Sequence, residues 1–172
     1  MLEVARKADV EVLFVVGHLS EQLEAYFGSE YRGIRLSYVR QQAQLGTAQA
    51  VVTALQARPT ANSVVVWLAD SFFSAATFQR LIECPYNNAV TLLPADNTKA
   101  AHHRVEIAAT RVTRSWHGSG PYIEGGLWKL ERRVLSEMPA GPDGEYRMLH
   151  ALQVFIQRGG EVGYIEGSNR VH

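Results

Sequence analysis

The chain has 172 residues, 47% of them hydrophobic, which is enough for one domain with a real core. Lysine plus arginine and aspartate plus glutamate each number 17, so the formal net charge is zero. That balance argues against a protein that coats nucleic acid, because contacts to phosphates require a basic excess. One cysteine, Cys84, excludes an internal disulfide framework and a multi-cysteine metal site, and we expect a buried or half-buried thiol.

The first residues, Met1 to Lys7, lack the apolar stretch and the cleavage site of an export signal. No apolar run approaches the ~20 residues that cross a bilayer. The sequence therefore predicts a cytoplasmic protein that does not enter a membrane.

Strands and helices alternate along the first half of the chain. The β-branched run at residues 10–16 is typical of a strand buried on both faces. Ser20 is the predicted N-cap of the next helix and Gly28 its C-terminal glycine. The elements predicted here are a helix at residues 1–8, a strand at 10–16, a helix at 21–27, a strand at 34–39, a helix at 47–57 and a strand at 63–69.

The second half continues the alternation with more antiparallel character. Its predicted elements are a helix at residues 75–84, a strand at 89–93, a short antiparallel pair at 105–109 and 111–116, a strand at 122–130, helices at 131–138 and 145–158, and a strand at 161–166. Strands alternating with helices over short connections predict an α/β fold of Rossmann-like type, with a mostly parallel sheet and helices on both faces. We expect one domain over residues 1–172.

A polar loop without charge, residues 41–46, connects the strand at 34–39 to the helix that begins at Thr47. The first N–H groups of a helix are unpaired, and its dipole is positive at that end. Gly46 allows a ligand to approach the backbone closely, and the amide of Gln41 suits a nucleobase edge. The loop therefore indicates a ligand site, although a loop that only caps the helix fits the same pattern.

Asp70 follows a buried strand, and ligands of open α/β sheets bind at the carboxyl ends of strands. Its carboxylate suits a hard cation such as Mg²⁺ that bridges phosphates. The alternative is an aspartate that caps a helix at residues 71–76. Farther along, Gly125-Gly126 indicates either a substrate-facing strand or a bulge with close packing, and Glu124 either a ligand for a sugar hydroxyl or a solvated side chain. His102-His103 could indicate metal binding or proton transfer, but no further histidine or carboxylate lies at ligand spacing, so we expect a pair of loop histidines.

The segment from Tyr38 to Ala48, Y-V-R-Q-Q-A-Q-L-G-T-A, resembles the Y-V-x-Q-x-x-x-x-G-T-A segment of sugar-1-phosphate nucleotidyltransferases. The resemblance covers most of the chain; it is strongest from Val10 to Asp70 and weak from Lys99 to Ser119. It implies an enzyme that joins an NTP to a sugar 1-phosphate, with Mg²⁺, and releases pyrophosphate. Its expected partners would be the nucleotide and the sugar phosphate, with no nucleic acid and no membrane.

The resemblance also implies roles for individual residues. Gln41 and Gly46 would contact the nucleobase, with Thr47 beside them in the substrate site. Asp70 matches the catalytic, metal-binding aspartate, although Ala69 stands where that family normally has glycine. Gly126 matches the position of a glycine in the strand at the sugar site. Glu124 would lie next to it.

Several parts of the family pattern are missing. A first strand, a glycine-rich loop with a basic residue that grips the triphosphate, and a Lys-Pro segment are absent, and Met1-Leu2-Glu3 resembles the start of the family's first helix. Trp116-His117-Gly118 stands where relatives have Glu-Lys-Pro. No aspartate follows Asp143, so Asn169 or His172 would have to lie where relatives place a second metal ligand.

We therefore expect an N-terminally truncated relative, for which two further interpretations stay open. One is a catalytically inactive module of the same fold that binds a nucleotide, a sugar or a partner. The other is an unrelated doubly wound domain.

The missing strand would be central in the family's sheet, between the predicted strands at residues 10–16 and 63–69. Its absence would leave a gap of roughly 10 Å, which is two strand spacings. Unpaired backbone groups in a buried gap are costly. We expect either that the two strands pair directly or that a segment of a second chain, as in a homo-oligomer, fills the gap.

Overall fold

The structure is a computed structural model that describes residues 10–95, 103–136, 138–141 and 144–167. The predicted helix at residues 1–8 lies outside these ranges. The elements in chain order are β1 (Val12–Val16), α1 (Ser20–Phe27), β2 (Glu30–Tyr31), β3 (Ile34–Arg40), α2 (Thr47–Ala57), β4 (Ser63–Trp67), α3 (Ala75–Glu83), β5 (Ala89–Pro94), β6 (Arg104–Ala108), β7 (Arg111–Gly118), β8 (Tyr122–Glu131), a 3₁₀ helix (Arg132–Leu135), α4 (Met148–Gln157) and β9 (Gly163–Glu166).

Three local predictions differ from the structure. Leu19, with φ 61°, precedes the first turn of α1, whereas Ser20 lies inside the helix and its hydroxyl accepts a hydrogen bond from Arg40. The predicted helix at residues 131–138 is only a four-residue 3₁₀ turn. The predicted helix at 145–158 begins at Met148, because the backbone of Tyr146 is bonded to another loop instead.

The strands form two separate sheets. The smaller sheet has the order β1-β3-β2, with β1 and β3 parallel. The larger has the order β4-β8-β5-β9-β7-β6. The predicted α/β class is confirmed, but the sheets are mixed: β5 and β9 are parallel, whereas β8 is antiparallel to both β4 and β5. β8 also pairs antiparallel with β6 at Tyr122, so it runs opposite to β4, β5 and β6.

Helices cover both faces of the larger sheet. Along β4, Val64 and Val66 pack into the main core with α2 and α4, whereas Val65 and Trp67 pack against α3. This alternation is the period of two expected for a strand. Cys84 lies buried in the α3 cluster, as predicted.

The prediction that the strands at residues 10–16 and 63–69 could pair directly is wrong. β1 is the edge of the smaller sheet and β4 the edge of the larger one. Within the described ranges, β1 pairs only with β3 and β4 only with β8. Among the described residues, each sheet therefore ends in an edge strand here, where a continuous sheet was one of the alternatives.

Candidate functional site

Asp70 lies in a turn just beyond the carboxyl end of β4. The turn is fixed by two backbone bonds: Leu68 N donates to Gly126 O at 2.9 Å, and Ser71 N donates to Leu68 O at 3.1 Å. Asp70 is exposed and accepts a bond from the Ser71 hydroxyl at 3.3 Å. The alternative role as a helix cap is wrong, because α3 begins at Ala75 and its cap is Ser74. The carboxylate is thus available at the sheet edge.

Gly126 packs directly against this turn. Its φ is +85°, and a Cβ there would lie 2.8 Å from Ser71 Oγ and 3.2 Å from Leu68 Cδ1. The neighbouring Gly125 sits over Thr91, whose Oγ1 a Cβ would approach to 2.7 Å. Close packing therefore accounts for glycine at both positions, and close packing was one of the two alternatives. The arrangement also brings Gly126 beside Asp70.

Glu124 is not the solvated side chain that one alternative predicted. The residue is half-buried, and its Oε2 is out of contact with solvent and has no hydrogen-bond partner among the described residues. Burial raises the pKa of Glu124 to about 7, although the nearby Arg147 guanidinium acts in the opposite direction. The carboxyl group thus sits in an enclosed, partly cationic environment beside the Gly125-Gly126 bend.

The glutamine loop is held on both sides. Gln41 N donates to Val16 O at 2.8 Å, which ties the loop to the end of β1. Tyr146 N donates to Leu45 O at 2.7 Å, and Tyr146 O accepts from Ala48 N at 2.9 Å. The Nε2 atom of Gln41 is buried and has no hydrogen-bond partner among the described residues. The loop therefore presents an unsatisfied amide from a fixed backbone.

Residues 146 and 147 connect the two halves of the site. Tyr146 binds the loop that carries Gln41 and Gly46 and the first turn of α2, which begins at Thr47. The next residue, Arg147, acts on the buried carboxyl of Glu124. Glu124 is followed in β8 by Gly126, which contacts the Asp70 turn. The six predicted site residues are thus linked through Tyr146, Arg147 and strand β8.

The sequence prediction missed an aromatic stack beside this path. The Trp116 ring stacks on His103 at 3.7 Å between centroids and on His150 at 5.1 Å. His150 Nδ1 is buried and has no hydrogen-bond partner within the described ranges. His103 lies in the loop before β6, as predicted, with its ring packed on Trp116, and His102 lies outside the described ranges. The stack joins positions that are far apart in the sequence, and no local pattern indicated it.

Asp70 is the candidate ligand for a metal. In the part of the chain that the structure describes, no three His, Cys, Asp or Glu side chains come together as a metal site. Mg²⁺, however, commonly uses one or two carboxylates and takes its remaining ligands from water and substrate phosphates. An exposed carboxylate at the sheet edge fits that requirement. Asn169 and His172, the candidates for a second ligand, lie outside the described ranges.

Among the described helices, none is long and apolar enough to cross a bilayer.

Comparisons with known proteins give sequence relatives. No protein-family model matches the chain. The bifunctional protein GlmU of Caldanaerobacter subterraneus subsp. tengcongensis is 26% identical over 188 aligned positions, which span 98% of this chain and 40% of GlmU. The D-glycero-alpha-D-manno-heptose 1-phosphate guanylyltransferase of Aneurinibacillus thermoaerophilus is 35% identical over 134 positions, 72% of this chain and 56% of that protein. The chain thus spans less than two thirds of either relative.

Solved structures show the same architecture. UDP-glucose pyrophosphorylase complexed with UDP-glucose superposes with a TM-score of 0.77 at 18% identity, over 98% of this chain and 79% of that one. The apo form of UDP-glucose pyrophosphorylase gives a TM-score of 0.75 at the same identity and covers 78% of that chain. These matches agree with the resemblance of the Tyr38–Ala48 segment, and the chain therefore has the fold of the sugar-1-phosphate nucleotidyltransferases.

Proposed function

We propose that this chain is a nucleotidyltransferase-like domain that joins an NTP to a sugar 1-phosphate, giving a nucleotide sugar and pyrophosphate. The observation that carries the proposal is the set of unsatisfied polar atoms along the site. Gln41 Nε2, Glu124 Oε2 and His150 Nδ1 are buried and have no hydrogen-bond partner in the described chain; Trp128 Nε1, in the main core, is a further such atom. Buried polar atoms are normally paired, so a donor and an acceptor left unpaired along one path indicate a ligand or ordered water.

Each residue has a role in this proposal. Gln41, Gly46 and Thr47 hold the nucleobase end, where the backbone of the loop is fixed by Tyr146. Glu124 and Gly126 face the sugar. Mg²⁺ held at Asp70 would neutralise charge on the phosphates.

The reaction itself requires little covalent chemistry from the protein. A phosphate oxygen of the sugar 1-phosphate attacks the α-phosphorus of the NTP. The bond from that phosphorus to the bridging oxygen breaks, and the electron pair leaves with pyrophosphate. Catalysis of such a transfer depends on positioning and on neutralising the phosphates.

A second candidate function needs no metal, and in the described part of the chain no three His, Cys, Asp or Glu side chains come together as a metal site. The chain would then be an inactive module that binds a nucleotide or a sugar phosphate without turnover. Its site residues would be the same, because Gln41, Glu124 and Gly126 recognise the ends of the ligand rather than the reacting phosphates. Only the requirement for Asp70 and Mg²⁺ differs between the two candidates.

A pyrophosphate-release assay tests the proposal across the four common NTPs, a panel of hexose 1-phosphates, and Mg²⁺ with and without EDTA. We expect Mg²⁺-dependent release that is lost in Asp70→Asn and retained in Glu21→Gln, whose side chain is exposed on α1. Titration calorimetry is run in parallel. Binding without release would replace the enzyme with the binding module. The absence of both binding and release would overturn both candidates.

A further inference from the structure

A cleft of about 350 Å³ opens between the end of α3, the loop that follows it, the turn between β6 and β7, and strand β9. Asp70 and the other predicted site residues do not line it. β4 and β5 run in the same direction, because both are antiparallel to β8. The cleft includes the loop before β5, whereas Asp70 follows β4, so the two lie towards opposite ends of the sheet.

Tyr86 forms a fixed wall of this cleft. Its hydroxyl shares a hydrogen bond of 2.6 Å with Thr110 Oγ1. Its ring packs against Gly163, where a Cβ would lie 2.1 Å from Tyr86 Cδ2. The Arg111 guanidinium lies 5.8 Å from the ring centroid. Three contacts therefore hold the side chain although its loop has no regular secondary structure, so the wall is in place before a ligand arrives.

The base of the cleft is apolar. Cys84 and Ile165 line it and are buried in the hydrophobic cluster that α3 forms on the sheet. Pro85 and the Tyr86 ring add further apolar surface. A volume of about 350 Å³ is near the lower end of the range for small-molecule sites. The cleft therefore suits a small ligand with an apolar part.

Arg80 and Glu83 supply one positive and one negative charge to the lining. They are three residues apart on α3, a spacing at which opposite charges commonly pair. Each is bonded to a different group instead: Arg80 Nη1 donates to Glu166 O at 3.2 Å, and Glu83 Oε1 accepts from Gln79 Nε2 at 2.5 Å. Both residues are exposed, so a ligand can reach the remaining guanidinium N–H groups and carboxylate oxygen.

We propose that this cleft binds a free amino acid with a large apolar side chain. The carboxylate of the ligand pairs with Arg80, because a guanidinium can donate two parallel hydrogen bonds to a carboxylate. The ammonium group of the ligand pairs with Glu83. Its side chain covers Cys84, Tyr86 and Ile165. The site is separate from the nucleotide site, and the inference holds whether or not the proposed reaction takes place.

The ligands of the proposed function fit this cleft less well. A nucleotide carries several negative charges on its phosphates. Among the described residues that line the cleft, Arg80 is the one cation, and the carboxylate of Glu83 is its neighbour. A sugar phosphate has the same excess of negative charge and no apolar group for the base of the cleft. A zwitterion with an apolar side chain matches both charges and the base.

An NMR titration of the isotopically labelled 172-residue chain tests the proposal. The probes are L-phenylalanine and L-leucine. Three analogues each lack one feature of the first probe: 3-phenylpropionate has no ammonium group, 2-phenylethylamine has no carboxylate, and glycine has no side chain. We expect at least one of the two amino acids to bind with a Kd below about 1 mM, and each analogue to bind about tenfold more weakly or worse than L-phenylalanine.

Two variants assign the charges. Arg80→Gln should weaken binding of the amino acid by about tenfold or more and leave 2-phenylethylamine, which has no carboxylate, unaffected. Glu83→Gln should weaken the amino acid by a similar factor and leave 3-phenylpropionate unaffected. Arg114→Gln and Glu21→Gln are the matched controls, because these exposed side chains lie outside the cleft, on β7 and α1. Unchanged affinity for the amino acid in both cleft variants would overturn the inference.

The position of the shifted amide signals gives a separate test. Signals should move at Cys84, Thr110 and Ile165. They should stay constant at Gly46 and Gly126, which belong to the candidate nucleotide site, and changes confined to those two glycines would overturn the inference. So would equal affinities for L-phenylalanine and its analogues, or no change with either amino acid at about 10 mM. If a variant does not fold, the comparison of probes on the unmodified chain decides.

Discussion

The backbone of Tyr146 occupies the space beside Gly46 that any other residue would need. A Cβ on Gly46 would lie 2.5 Å from Tyr146 O and 3.0 Å from Tyr146 N. The same two atoms form the hydrogen bonds that tie the glutamine loop and α2 to the segment before α4. Gly46 also has φ 105° and ψ 169°, a region that is essentially restricted to glycine. Contact and conformation therefore both require glycine here.

Replacing Gly46 with alanine should destabilise the protein and displace the loop. Gly28 provides a matched control, because its φ of 64° and ψ of −159° lie in the same glycine region but no atom lies within 4 Å of its Cβ position. Backbone strain of about 1–3 kcal/mol is common to both variants. Gly46→Ala should lose about 1–3 kcal/mol more, because overpacking is added. Urea unfolding of the two variants measures the difference, and equal losses would contradict the role of Tyr146.

The position of the glutamine loop was predictable from sequence, but the reason for its glycine was not. The loop at residues 41–46 and the start of α2 at Thr47 follow from local composition and helical periodicity, and the structure has them there. The contact of Gly46 with Tyr146 joins positions a hundred residues apart, and no local pattern carries that information. A glycine whose sequence context indicates a ligand site can thus be required by packing against another segment, here Tyr146.

The environment of Glu124 could not be predicted from the sequence either, because it also depends on contacts between distant positions. Its strand, β8, was predicted with nearly correct bounds. Its direction and its neighbours were not, because an antiparallel strand inserted between β4 and β5 has the same local pattern as a parallel one. Burial of Glu124 depends on that placement and on Arg147, which approaches from the start of α4.

Glu124 should make stability fall as the pH rises. Its pKa is about 7 in the folded protein against a usual value of 4.5, so the folded state binds more protons than the unfolded state between these values. The contribution of Glu124 to the free energy of unfolding is then fully present below pH ~4.5 and is lost as the pH rises through ~7. The total change is about 3 kcal/mol. Glu124→Gln is neutral throughout and should flatten this slope. Denaturant unfolding from pH 4.5 to 8 measures it.

The control for this series is Glu21→Gln, because the Glu21 side chain is 90% exposed on α1. It should keep the wild-type slope. A wild-type slope in Glu124→Gln would show that the carboxyl group is not held protonated by burial.

Thr91 should stabilise the irregular part of β8, beside Gly125-Gly126. Its buried hydroxyl donates to Leu127 O at 3.0 Å and accepts from Leu127 N at 3.3 Å, where the register between β5 and β8 shifts. Thr91→Val keeps the shape but leaves both backbone groups unpaired, which should cost about 1–3 kcal/mol. Thr91→Ser keeps the hydroxyl and loses one methyl group, about 1 kcal/mol. Thermal unfolding compares them, and a serine variant less stable than the valine variant would contradict this assignment.

The end of α2 holds the two sheets together through two arginines. The Arg58 guanidinium bonds to Glu11 at the start of β1 and to Ser37 of β3, at 2.8 Å for the serine. The hydrogen bond from Arg58, together with one between Glu11 and the Ser37 hydroxyl, lowers the pKa of Glu11 to about 2. From the larger sheet, Arg132 donates to the carbonyls of Leu55 at 3.0 Å and of Arg58 at 2.6 Å.

Arg132→Met should therefore loosen α2 and the junction of the sheets. It removes charged donors from the carbonyls of Leu55, Arg58 and Ala61, and we expect a loss of about 2–4 kcal/mol. Arg133→Met is the matched control, because Arg133 is 66% exposed and pairs with Glu131 on the surface, so it should lose less than about 1 kcal/mol. Amide hydrogen exchange locates the effect. Protection in the last turn of α2 should fall in Arg132→Met and stay unchanged in Arg133→Met. Equal losses in the two variants would show that Arg132 does not hold the helix end.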